Sequence, residues 1–256
     1  MIMQALRPEE ILSRTGHRPY PVPTRPWALF MSWRDLLFMH WPVEEALLRP
    51  LVPRALDLDT FDGSAWLSIT PFSMRGVRPR ALPSVSPLSN FPELNVRTYV
   101  TGGDRPGIWF FSLDAGSRVA VRLARAIFRL PYYDAMMSCR DSGGEIRYES
   151  VRTHRGAPGA RFEGRYRPVG EPFNARPGTL EYFLSERYCL YGADSRGGVL
   201  RGEIHHHPWP LQEAEVRVET LGMTEQIGVP LPERPPILYF SRSIDTLAWS
   251  PQRVRS

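Results

Sequence analysis

Glu93, Asn95, Arg97 and Tyr99 alternate with Leu94, Val96, Thr98 and Val100 in the stretch FPELNVRTYV. Successive side chains of an extended strand point to opposite faces, so this spacing gathers a carboxylate, an amide, a guanidinium and a phenol on one side. On an open sheet that side is simply the solvated one. In a sheet that closes on itself, it would line the lumen. There Glu93 would act as a general base or accept a hydrogen bond, and Asn95 would orient a ligand. Arg97 would hold a carboxylate in bidentate fashion. Glu93 is therefore the candidate catalytic residue, with Asn95 and Arg97 as candidate ligand-binding residues.

A second stretch, FFSLDAGSRVAVRLAR, reads as a strand running through a tight turn into a helix. Free N–H groups at a helix start attract anions, which makes Ser117 and Arg118 further ligand-binding candidates. The commoner reading is a helix capped by Ser117 or Asp114. In that reading Val119, Ala120, Leu123, Ala124, Ile127 and Phe128 pack inward, while Arg118, Arg122, Arg125 and Arg129 are solvated. Asp114 weighs against an anion site, because a fixed carboxylate already occupies the favourable potential.

GEIHHHPWP raises the question of a metal. On a strand His205 and His207 share a face with Glu203, and His206 points away. Two histidines and a carboxylate form a known iron or zinc set, yet three ligands along one strand are crowded, and His40 or His154 would have to converge from elsewhere. The preferred reading is hydrogen-bonded structural histidines, so no metal ligand is assigned and no cofactor is called for. Cys139 and Cys189 lack the basic or helix-start setting of a nucleophile, and no Gly-x-Ser-x-Gly elbow occurs.

All 32 basic side chains are arginine; the chain contains no lysine. Imine catalysis needs a primary amine of lowered pKa, which a guanidinium cannot supply, and a Walker-type phosphate loop lacks its lysine as well. The net charge of +5 is spread among 27 acidic residues, and RFEGRYRP fits an exposed alternating strand better than a nucleic-acid platform. No apolar run approaches a membrane span, Arg7, Glu9 and Glu10 interrupt any leader, and two distant cysteines suit a reducing compartment. The expected setting is cytoplasmic, with neither nucleic acid nor membrane as partner.

The elements that must position these groups are mostly strands. Turn signals at GGDRPG (102–107), DSGG (141–144) and SRGG (195–198) join residue runs 93–101 to 107–113, 134–140 to 145–153, and 187–194 to 198–206. Further strands are expected at 65–74, 160–168, 213–221 and 237–249, with helices at 41–53, 117–129 and 178–186. Residues 75–92 read as a long loop of the kind that covers binding sites. Residues 1–25 form an extended N-terminal arm on a single domain spanning 1–256. Short connections imply an antiparallel sheet, and so many strands should curl or close, giving an α+β, barrel-like architecture.

Several segments together resemble the YqjF-like proteins, a bacterial domain of unknown function: HRPYPVPTRPW, DLLFMHWPV, LDTFDGSAWLSITPF, FPELNVRTYV, FFSLDAGSRVAVRLAR, VRTHRGAP, RPGTLEYFLSERYCLY and GEIHHHPWPLQ. The likeness runs from about His17 to Trp249. That family is remotely similar to the acetoacetate decarboxylase-like superfamily, whose fold is a cone-shaped, mostly antiparallel β-barrel around a cavity. The resemblance implies such a barrel here. The decarboxylase carries its catalytic lysine where a strand gives way to a helix; the comparable positions here hold Ser117 and Arg118, so Schiff-base chemistry is lost. Its glutamate beside the lysine corresponds, on this resemblance, to Glu93. The combined expectation is a pocket for a small, anionic organic molecule, without turnover. One alternative is a lysine-independent lyase or hydrolase acting on a carboxylate or carbonyl compound through Glu93 and Arg97. The weaker alternative is a metal-dependent enzyme built on His205–His207.

Overall fold

The computed structural model describes residues 5–86, 88–194 and 197–254. In chain order the first elements are α1 (Pro8–Leu12), β1 (Leu29–Val43), α2 (Glu45–Leu48), β2 (Asp57–Leu58), β3 (Ala65–Pro79), β4 (Phe91–Gly102) and β5 (Arg105–Ala115). Next come α3 (Arg118–Ile127), β6 (Tyr132–Ser142), β7 (Glu145–Arg152), β8 (Arg161–Phe173) and α4 (Leu180–Ser185). The chain continues through β9 (Cys189–Ala193), β10 (Val199–His205), β11 (Leu211–Leu221), β12 (Ile237–Ala248) and β13 (Gln252–Arg253). This is an α+β fold dominated by sheet, with few helices. No helix among the described residues is long and apolar enough to cross a membrane.

The strands of the three expected hairpins pair, with Ser195 and Arg196 of the third turn outside the described residues. β4 turns into β5 through Gly103, whose φ of +67° is cheap only without a Cβ. β6 pairs β7, and β9 pairs β10, both antiparallel. From β5 the pairings pass through β6, β7, β8, β11, β12, β1, β3 and β4, and β4 pairs β5 again, so the circuit returns to its start. All these pairings are antiparallel except β5–β6, and β9 adds a second parallel neighbour of β5. β9 and β10 bridge β5 to β12 by a shorter route.

Three expectations change in detail. The segment expected as a helix from Trp41 is strand through Val43, and the helix shrinks to Glu45–Leu48 with a 3₁₀ turn at Arg49–Leu51. Pro42 is tolerated because the β12 ladder ends at His40, leaving Pro42 paired with β3 alone. The expected long loop is shorter, since β3 runs on to Pro79. The N-terminal arm is not wholly extended: Pro8–Leu12 is helical, and its Ile11 is completely buried beside Phe30, Leu247 and Trp249.

Both faces of the sheet are buried. One face contributes Leu37, Met39, Leu67, Ile69, Leu94, Val96, Tyr148, Phe162 and Phe240 to a close-packed core. The other contributes Met31, Phe72, Met74, Phe91, Phe110 and Leu113 to a core that is partly hollow, joined by Trp209 from the segment between β10 and β11. Two bulges set which side chains face the hollow. Positive φ at Asp35 accompanies a register shift in β1, so Leu29, Met31 and Trp33 are followed by Leu36 on the same side. In β5 an extra residue at Phe111 lets Leu113 oppose Asn95 while Phe110 opposes Arg97. Without that bulge, Phe111 would take the inward place.

Candidate functional site

The hollow is a cavity of about 480 Å³ lined chiefly by apolar side chains of β1, β3, β4, β5 and α3, together with the loop 80–90. Glu93, Asn95 and Arg97 all line it. The polar side of β4 therefore faces an enclosed space: Glu93 and Asn95 are only 2% and 4% exposed. Opposite them on β3, Phe72 pairs with Glu93 and Thr70 with Asn95.

Glu93 accepts a hydrogen bond from the Tyr132 hydroxyl at 3.1 Å. Burial raises its pKa to about 8, an effect that the Tyr132 bond opposes and nearby Asp114 reinforces. At neutral pH the carboxyl is thus mostly uncharged. Arg97 has no ion pair among the described residues. Its guanidinium lies 5.2 Å from the Phe38 ring centre, and its Nε has no hydrogen-bond partner. Burial lowers the Arg97 pKa, and the neighbouring Tyr99 opposes that; the group still carries its charge at any physiological pH. Arg187 also lines the cavity, but it is neutralised by Asp59. The Asn95 side-chain oxygen and the Thr70 hydroxyl are buried without partners.

Sequence reasoning missed the aromatic end of the cavity. Trp33, Trp209 and His206 all line it. Trp33 stacks on Trp209 with ring centres 5.6 Å apart, and His206 lies 5.2 Å from Trp209 and 4.8 Å from Tyr188. Burial lowers the His206 pKa to about 3, so the ring is neutral. β10 ends at His205, so the alternation expected on a strand stops there; His206 nonetheless faces the cavity while His205 and His207 turn to the N-terminal segment. His205 meets the Ile11 carbonyl at 3.0 Å and His207 the Glu10 carbonyl at 3.2 Å, both in the N-terminal segment. Glu203 is engaged by Arg105 at 3.3 Å and Arg18 at 3.7 Å. Among the described residues no three His, Cys, Asp or Glu side chains group as a metal would require. His40 is buried and bonded to Ser68 and Tyr99, and His154 sits 3.2 Å from Asp134.

Ser117 and Arg118 do not line the cavity. The Ser117 hydroxyl accepts from the Ala120 amide at 3.4 Å, capping α3. Asp114 has a different occupation: it is fully buried in an ion pair with Arg152 at 2.6 Å. The inward packing expected of α3 holds for Ala120, Ala124 and Phe128 and fails for the other three. Only Val121 is fully buried, whereas Val119, Leu123 and Ile127 remain 47%, 56% and 54% exposed at the cavity's edge. The helix borders the hollow: Ala120, Ala124 and Phe128 pack against the core beside Val121, while the longer apolar side chains stand at the edge.

Residues 30–245 match DUF2071, a family described as uncharacterised conserved proteins. The uncharacterised protein YqjF of Bacillus subtilis (strain 168) is 45% identical over 228 residues, covering 89% of this chain and 93% of that protein. Among solved structures, the enduracididine biosynthesis enzyme MppR, complexed with the condensation product of pyruvate and imidazole 4-carboxaldehyde, superposes with a TM-score of 0.63 at 12% identity, over 94% of this chain and 96% of that one. An acetoacetate decarboxylase-like enzyme from Sphingomonas wittichii RW1 gives 0.59 at 13% identity, over 94% of this chain and 100% of its own. The chain therefore belongs to the DUF2071 family, on the mostly-sheet α+β fold shared with acetoacetate decarboxylase-like proteins.

Proposed function

We propose that this protein binds a small organic carboxylate in its cavity, with Arg97 as the anchoring cation. The observation that carries this reading is an imbalance of charge. Arg97 faces the cavity without a carboxylate partner among the described residues, while Glu93, on the same wall, is mostly protonated at pH 7. A buried cation without a counter-ion is costly, and an anionic ligand making bidentate hydrogen bonds removes the cost. The size and apolar lining suit a small-molecule site with few polar groups. The returning circuit of strand pairings supports a closed barrel with this cavity as its lumen. MppR is also described in complex with pyruvate, itself a small carboxylate. The setting that fits is cytoplasmic, with both cysteines free.

Schiff-base turnover is outside this chemistry, since the chain has no lysine. The second reading, a lysine-independent enzyme acting on a carboxylate or carbonyl compound, is favoured by one feature. Glu93 has a pKa of about 8 and touches Tyr132, which suits a group that both gives and takes a proton near neutral pH. Native mass spectrometry of gently purified protein, followed by titration with a panel of carboxylates, tests the first reading. Binding should be lost in Arg97→Met; carboxylates binding equally well to that variant would overturn it. Solvent deuterium exchange into a bound 2-oxo acid, abolished by Glu93→Gln, would establish turnover.

A further inference from the structure

The cavity's rim is unusual for a water-facing edge. Leu82, Val85 and Leu88 in the loop 80–90 are 59%, 54% and 47% exposed, and Val119, Leu123 and Ile127 on α3 are exposed to a similar degree. All six line the same cavity as Arg97. Contiguous exposed apolar side chains mark a contact surface, and this one is continuous with the interior. The loop is fixed at its base: the Ser89 hydroxyl accepts from the Val85 amide at 2.8 Å, and Gly76 donates to the Asn90 side chain at 3.0 Å. Its apolar side chains are therefore held at the rim.

We propose that these six residues form a groove for the hydrocarbon tail of the carboxylate held by Arg97, which makes the ligand class long-chain aliphatic acids. This rests on the carboxylate reading above and goes beyond it in length and polarity. Arg97 and Phe91 both line the cavity from β4, six residues apart, a span of roughly 20 Å along the strand. A two- to four-carbon acid on Arg97 would leave most of that path empty. A tail running toward α3 would pass Phe72, Met74, Phe91 and Leu113, and then reach Leu123 and Ile127. Glu93 lies on this path, and in its uncharged form it does not repel the chain.

Calorimetric titration of the full chain with acetate, pyruvate, butyrate, octanoate, dodecanoate and hexadecanoate, each below its micelle concentration, tests the groove. Affinity should tighten with added methylenes, by up to about fourfold each, and keep rising through hexadecanoate. The double variant Leu123→Glu with Ile127→Glu, at exposed positions, should cancel the gain in affinity beyond about twelve carbons, the length at which a tail on Arg97 approaches α3, and leave butyrate unaffected. Arg97→Met should weaken every length alike. A measurable but flat length series would overturn the tail groove and leave the carboxylate reading standing; absence of binding at every length would remove both. Hexadecanoate binding unchanged in the double variant would also overturn the groove. In that event, loss of self-association on sedimentation would assign the rim to a second copy, and loss of binding to anionic vesicles would assign it to a lipid surface.

Discussion

Glu93 and Arg97 occupy one face of one strand and one cavity, yet they do not neutralise each other. The carboxyl is bonded to Tyr132, and the guanidinium rests against Phe38. Four residues apart on an extended strand, their Cα atoms stand roughly 13 Å from each other, beyond direct pairing. Here burial keeps the acid protonated and leaves the cation to be balanced by something from outside.

Arg97 should therefore be a residue whose removal helps the empty protein. Arg97→Met keeps much of the volume and discards an unpaired buried charge, so the ligand-free protein should gain on the order of 1 kcal/mol while carboxylate binding disappears. Thermal melts with and without ligand check both parts. A destabilised, binding-competent variant would contradict the charge argument.

Glu93 should make the folded state weaker as the pH rises. Its folded pKa is raised to about 8 from an ordinary value of 4.5, so between those values the unfolded chain has released a proton that the folded one keeps. Its contribution is thus fully present below about pH 4.5 and lost as the pH climbs to 8. Glu93→Gln should be flat over that window and exceed the parent at pH 8 by a few kcal/mol, about 5 at most. Denaturant titrations at pH 5 and pH 8 measure the difference.

His206 should act in the opposite direction. Its pKa is lowered to about 3 by burial, so below pH 6.5 the unfolded chain takes up protons that the folded ring refuses. The stability it contributes is complete above pH 6.5 and drains away as the pH falls toward 3. His206→Phe retains the stack on Tyr188 and Trp209 but not the bond to the His207 carbonyl. It should cost about 1 kcal/mol at pH 7 and show a shallower acid slope. His205, lowered to about 4, accounts for part of the slope that remains.

Asp114 and Arg152 should matter to folding and not to ligand. Their side chains are 0% and 1% exposed, and Arg152 reaches Gln226 and the Tyr133 ring as well. Asp114→Ala strands that guanidinium and should cost about 3–5 kcal/mol. Urea denaturation gives the loss, and unchanged carboxylate affinity in the folded fraction separates this pair from Arg97.

The amino-acid order was enough to determine which residues share a face. The period of two in FPELNVRTYV puts Glu93, Asn95 and Arg97 together in any extended conformation, the glycine-rich turns place the hairpins, and the missing lysine removes lysine-based imine chemistry whatever the fold. Alternation carries no information about what lies opposite a face. That was decided by pairings between strands far apart in the chain, β4 with β5 and β12 with β1, which enclose the space the three side chains enter. The same long-range closure turned His206 toward the cavity while His205 and His207 bonded the N-terminal segment. It also took Asp114 away from the helix start and left the apolar side of α3 bordering a hollow. Local periodicity specifies direction relative to the backbone; only packing specifies whether that direction ends in water, in a core or in an enclosed space.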